Sequence, residues 1–165
     1  MAYFDRFPVV VGYEFNNNLI SIIDITRRTG IPNSIKNNDA FYILHEIKEG
    51  ESPIILADRL YDDSDLYWVI MEFNDIYNID TDWPMTQHAL DQYVNRVYED
   101  PYSVRHYESM SSGLIVDDNW PAYDRVGVSY YDHEIKKNDA KRLIKMPIPE
   151  TIGQLVRDHR RLIQQ

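Results

Sequence analysis

Residues 1–38 carry apolar side chains without a helical period. Val9–Val11 and Leu19–Ile23 are β-like runs, and Asn16-Asn17-Asn18 between them is turn-prone, so the spacing predicts a hairpin. Ile25–Lys36 contains Arg27-Arg28, Gly30 and Pro32 and reads as a connection. A strand-like run follows at Phe41–Ile47, then a turn at Lys48–Glu51 where Gly50 takes a positive φ. Ser52-Pro53 starts a short helix: Ser52 caps a free backbone N–H, and Pro53 fits the first turn, where its missing donor is not needed. Leu56, Ala57, Leu60 and Tyr61 give that helix one apolar face, and Asp62-Asp63-Ser64 breaks it and caps the next. In the second helix Leu66, Val69, Ile70 and Phe73 fall at i, i+3, i+4, i+7, with Tyr67, Trp68 and Met71 on the flank. A helix apolar around most of its circumference is buried on several sides. The expectation is that it packs on Leu56, Leu60 and the Phe41–Ile47 strand, with Asn74 as a left-handed stop.

Ile76–Asp82 is irregular, with a weak strand signal around Ile76–Ile79. Thr86 caps a helix over Gln87–Tyr98, whose Leu90, Tyr93, Val94 and Val97 share a face, and Asp100-Pro101 ends it. Val104–Ser109 and Leu114–Asp117 flank Met110–Gly113 as a hairpin, and Asn119–Gly127 reads as loop. From Val128 the pattern admits a helix, by Tyr131, Ile135 and Asp139, or a turn at Asn138-Asp139. Arg142–Met146 is a strand closed by Pro147. Pro149 starts a last helix with Ile152, Leu155, Val156, His159, Leu162 and Ile163 on one face. Arg157, Arg160 and Arg161 complement its carboxyl end. The fold class is α+β, divided into an arm or hairpin at 1–38, a strand-helix-helix-strand module at 39–83, and a helix, hairpin, strand and terminal helix at 84–165.

Composition narrows the functions. A net charge of −10 over 165 residues disfavours nucleic acid and anionic membranes and suits a basic protein partner. The 13% aromatic content, with 13 Tyr, suits cores and interfaces. The chain has no Cys, so disulfides and thiolate chemistry are excluded. The amino terminus lacks the basic start and apolar run of a signal peptide. No run approaches the roughly 18 apolar residues of a membrane span.

Candidate chemistry is sparse. His45-Glu46 begins like HExxH, but Glu49 stands where the second His is needed. Asp62–Asp65 is acidic like a calcium loop, yet the loop Gly is missing and Phe73 occupies the bidentate-Glu position. The better reading is an acidic helix start. Asp117-Asp118 reads as a solvated turn rather than an acid–base pair, and Trp68 as core rather than a sugar platform. No catalytic, cofactor or metal residue is assigned.

Glu51-Ser52-Pro53, Leu56-Ala57, Leu60-Tyr61, Leu66–Ile70 and Asn74 follow the order of a LysM module, and with Asp82-Trp83-Pro84 they resemble the LysM-like baseplate wedge proteins of contractile-tailed bacteriophages. Ile23–Arg28 and the segment from Val128–Glu134 to Asn138–Lys145 are similar to that family in the same order. The resemblance implies a structural subunit of the virion tail baseplate, assembled in the host cytoplasm in multiple copies per particle. It implies other wedge and hub proteins as partners, and no catalysis. A peptidoglycan-binding LysM module is the alternative, and a tail-associated muramidase the third reading. The arm aromatics Tyr3, Phe4, Phe7, Tyr13 and Phe15 either pack on their own domain or dock on another subunit. In the second case the arm is mobile in the free subunit and ordered in the particle.

Overall fold

Local chemistry decides where most elements begin. The computed structural model describes residues 7–16, 18–27 and 29–164. Its elements in chain order are β1 (Val9–Phe15), β2 (Asn18–Ile23), α1 (Asn33–Lys36), β3 (Tyr42–Glu46), α2 (Pro53–Tyr61), α3 (Tyr67–Phe73), α4 (Ile79–Asp82) and α5 (Gln87–Val97). They continue with β4 (Val104–Ser109), β5 (Ile115–Val116), β6 (Arg125–Ser129), α6 (Tyr130–Asp139), β7 (Leu143–Pro147) and α7 (Pro149–Ile163). The class is α+β. Gly50 has φ +78 in the turn after β3. Ser52, Thr86 and Ser129 each accept a backbone N–H of the helix that follows, from Ile55 (3.3 Å), Ala89 (3.2 Å) and Asp132 (3.0 Å).

Several expectations need correction. Asn74 is not the left-handed residue after α3: its φ is −104, and Asp75 takes φ 56 instead. No strand forms around Ile76–Ile79. There the Asn78 side chain accepts from Asp80 N at 3.0 Å and starts α4. The stretch expected as loop up to Gly127 already contains β6, and the ambiguous segment after it is the helix α6. Of the expected second-helix residues, Ser64–Leu66 form a 3-10 turn and α3 proper starts at Tyr67.

The chain divides into two units. The first contains the described residues through Glu46, Glu51–Tyr77, and Ile144 onward. Its core joins Trp68, Val69 and Phe73 of α3 to Ile31 and to Ile152 and Leu155 of α7. Tyr42, Tyr61, Leu66 and Val156 pack around them. β3 pairs with β7. Ile148 N donates to Phe41 O at one end of the pair and Ile47 N to Arg142 O at the other, so the two strands run antiparallel. The Asn74 side chain stitches α3 to β7: its Nδ2 donates to Lys145 O and its Oδ1 accepts from Lys145 N, both at 2.8 Å. An amide side chain thus does what a neighbouring strand would do for Lys145. Tyr61 Oη donates to Pro147 O at 2.9 Å, and burial raises its phenol above the ordinary range. The contact of α3 with Tyr42 of β3 was expected, whereas Tyr61, rather than Leu56 or Leu60, is the α2 residue packed against this cluster, and the α7 layer was not expected.

The second unit comprises Ile47–Gly50 and Asn78–Leu143. Leu90 and Val94 of α5 are buried, as their spacing requires. A three-stranded antiparallel sheet runs in the order β5-β4-β6. In α6 Glu134 and Asn138 are buried but satisfied. Tyr98 Oη donates to Glu134 Oε1 at 3.0 Å. Asn138 pairs with the Met85 backbone, accepting from N at 2.7 Å and donating to O at 3.0 Å. Tyr131 Oη donates to Asp91 at 2.8 Å, tying α6 to α5, and that hydrogen bond raises the phenol's pKa. No helix among the described residues is long and apolar enough to cross a membrane.

Candidate functional site: an apolar hairpin

β1 and β2 pair antiparallel, from Val9 opposite Ile23 to Phe15 opposite Asn18. The register shifts between Val11 and Tyr13, a bulge at Gly12 that increases local twist. Every residue of β2 is exposed. Leu19 and Ile23 lie on one face of the strand and Ile20 and Ile22 on the other, because side chains alternate. Leu19 is 73% exposed, and Val9, Val10 and Phe15 of β1 are exposed as well. A hairpin with apolar side chains on both faces and no covering layer among the described residues is an unusual surface, since contiguous exposed apolar area marks an interaction site.

Its base is fixed by local chemistry. Asp24 N donates to Pro8 O at 2.8 Å, closing the hairpin. One Asp24 oxygen accepts from Thr26 Oγ1 (2.6 Å) and Thr26 N (3.2 Å), and the other from Arg27 Nε (3.1 Å). The Thr26 and Arg27 hydrogen bonds hold the Asp24 carboxyl below the usual carboxylate range. Arg27 also donates to Ile163 O at 3.4 Å, at the end of α7. Asp24, Thr26 and Arg27 therefore clamp the base of the hairpin.

The arm aromatics fall in different places. Tyr3 and Phe4 lie outside the described residues. Phe7 is buried, at 7% exposure, so its ring is part of the chain's own packing. Tyr13 holds a register position opposite Ile20, and Phe15 is exposed at the hairpin tip. The aliphatic residues of β2 complete this surface and were not singled out by the sequence reading. The signal was present in Leu19–Ile23, but a strand-like run does not reveal whether it is covered.

His45, Asp63 and Trp68 are engaged structurally. His45 pairs with Glu51 at 2.8 Å, and Glu51 also takes Arg59 at 2.5 Å. Asp63 accepts from Asp65 N at 2.9 Å as the cap of the 3-10 turn. Trp68 packs against His159 with ring centroids 4.5 Å apart and ring planes tilted by 48°, and His159 lies 3.4 Å from Glu72. A groove of about 810 Å³ in the second unit is lined by Trp83, Tyr93, Arg96, Glu134, Lys137 and Lys141, among others. Its buried acid, Glu134, accepts from Tyr98 Oη at 3.0 Å, and Asp80 is the other carboxylate in the lining. Among the described residues no three of His, Asp and Glu converge in a way that could hold a metal ion.

The family model for base plate wedge protein 53 matches residues 2–110, which span the hairpin, α2, α3 and β4. The chain belongs to this phage base plate wedge family. Membership gives it a structural role in the tail base plate of a virion, together with other base plate proteins. The match ends at Met110, so the similarity drawn over Val128–Lys145 lies beyond the matched residues, as do β7 and α7, which complete the first unit's core. No curated protein matches the chain.

Proposed function

We propose that this wedge subunit joins neighbouring wedge proteins and helps hold the wedges around the hub of a contractile tail, without catalysing a reaction. The observation that carries this is strand β2, exposed along its whole length with apolar side chains on both faces. A lone two-stranded hairpin buries too little surface to be stable in water, so it needs an external layer. Both faces being apolar favours insertion between two apolar surfaces of the assembly over adhesion to one. Phe15, exposed at the hairpin tip, adds contact area. Ordering on assembly subtracts from affinity but keeps the free subunit from presenting a rigid sticky edge.

The order β3, α2, α3 with β7 as the partner strand supports a LysM-like core in which Asn78–Leu143 is inserted before the closing strand. In this reading the module is a scaffold for the arm and not a glycan receptor.

Hydrogen exchange tests the hairpin directly. Amides of β1 and β2 are expected to exchange fast in the isolated subunit and slowly in the particle. Slow exchange across Val9–Val11 and Leu19–Ile23 in the free protein would sink the idea. A truncation must stop short of Ile31, because Ile31 belongs to the first unit's core. Removing residues 1–35 would therefore destabilise the module as well as remove the arm.

A further inference from the structure

Exposed apolar side chains also occupy the segment that leaves β4, passes through β5 and returns to β6. Met110, Leu114, Ile115 and Tyr123 face solvent, with Tyr123 at 84% exposure. This segment is held in shape from within. The Asp124 carboxylate accepts from Ser109 Oγ (2.9 Å), Ser111 N (2.9 Å), Ser111 Oγ (3.0 Å) and Trp120 Nε1 (2.9 Å). Met110 N donates to Asp124 O at 2.9 Å, and Gly113 N to Ser109 O at 2.8 Å. Gly113 sits at φ +69, which a residue with a Cβ adopts only under strain. An apolar surface already fixed in one conformation loses little ordering entropy when it binds.

Its charge is one-sided. No Lys or Arg occurs from Met110 to Asp124, while Asp117 and Asp118 are exposed beside the apolar side chains. Such a surface is repelled by anionic lipid. It is also repelled by a second copy of itself, because like charges oppose one another across an interface. It complements an apolar pocket with a cationic rim.

We propose that this tip is a second docking surface of the subunit, which inserts Leu114, Ile115 and Tyr123 into an apolar pocket rimmed by Lys or Arg on a different base plate protein. The proposal rests on the base plate reading, and its test separates the two. Tyr123→p-benzoylphenylalanine is introduced in the phage, purified particles are irradiated, and the linked peptide is sequenced. The expected result is a peptide from another tail protein with Lys or Arg beside apolar residues. The chain present in particles but unlinked at 123, or linked to a second copy, overturns the docking surface alone. The chain absent from particles overturns the base plate reading and this surface with it. In parallel, Leu114→Ser with Ile115→Ser is expected to leave the melting curve unchanged, since both side chains are already solvated. Incorporation into base plates should fall by about tenfold or more, the effect of losing an interface anchor. Wild-type incorporation of that double variant overturns the proposal.

Discussion

α3 and β2 are comparably apolar stretches with opposite fates. In α3, Val69 and Ile70 are fully buried (0% exposed), whereas the whole of β2 is solvated. The difference is not in the side chains but in the layers around them. α3 is covered by α7 and Ile31, and Asn74 at its end is bonded to β7. β2 has a hydrogen-bonded partner in β1, and among the described residues no layer buries either face. Backbone pairing satisfies a strand's polar groups without removing its side chains from water, so a paired strand can still lack the larger part of its stabilisation. An apolar run therefore states that a cover is needed. It does not say whether the cover comes from the same chain.

The sharpest way to break this comparison is to attack the covered stretch. Trp68→Ala is expected to destabilise the protein by about 3–5 kcal/mol, through lost transfer energy and the cavity left beside His159 and Leu155. A melt like the wild type would mean that α3 is not the core. Leu155→Ala should cost about 2–5 kcal/mol, since it removes the α7 layer's contact with α3. If Leu155→Ala were as mild as a surface change, α7 would not be the cover. Asn74→Ala comes next, at about 1–3 kcal/mol, because it leaves Lys145 N–H and C=O without their side-chain partner. Urea unfolding of the variant measures it, and an unchanged midpoint would remove Asn74 as the stitch to β7.

On the uncovered stretch the stability effect should nearly vanish. Leu19→Ser with Ile22→Ser is expected to stay within about 0.5 kcal/mol of wild type, as surface substitutions do. The same variant should be poorly incorporated into base plates. A large stability loss would show that β2 is covered in the free subunit. The smallest effect concerns pH. Hydrogen bonds from Trp120, Ser109 and Ser111 lower the Asp124 pKa in the folded state. A depressed carboxylate contributes stability above its unfolded value, near pKa ~3.9, and loses it as pH falls through the lower folded value. The Trp120 indole N–H signal should thus keep its folded shift through the ordinary carboxylate range and move only below it. Movement already above that range would contradict the Asp124 network.

Local pattern carried much of this protein. The i, i+3, i+4, i+7 sets of α3 and α5, the Ser52-Pro53 and Thr86 starts, Gly50 in its turn and both hairpins follow from interactions within a few residues. So does the weakness of any catalytic reading, because no motif brought acids, histidines or a nucleophile together. The candidate surface was legible in part: the arm was visible as apolar and without helical period, but its aromatic residues drew attention while Leu19, Ile20 and Ile22 of β2 form much of the exposed face.

Tertiary structure decided the rest, and in each case the reason is a contact distant in sequence. β3 finds its partner in β7 instead of in residues just after Asn74, because Asn78 diverts the chain into α4 and the Asn74 amide waits for Lys145. Asn138 captures Met85 in the same way within the second unit. Residue spacing reports which face of an element is apolar, through the geometry of helix and strand. Which distant segment covers that face depends on the whole chain's packing, and so α7, rather than a neighbour in sequence, closes the core over Trp68 and Phe73.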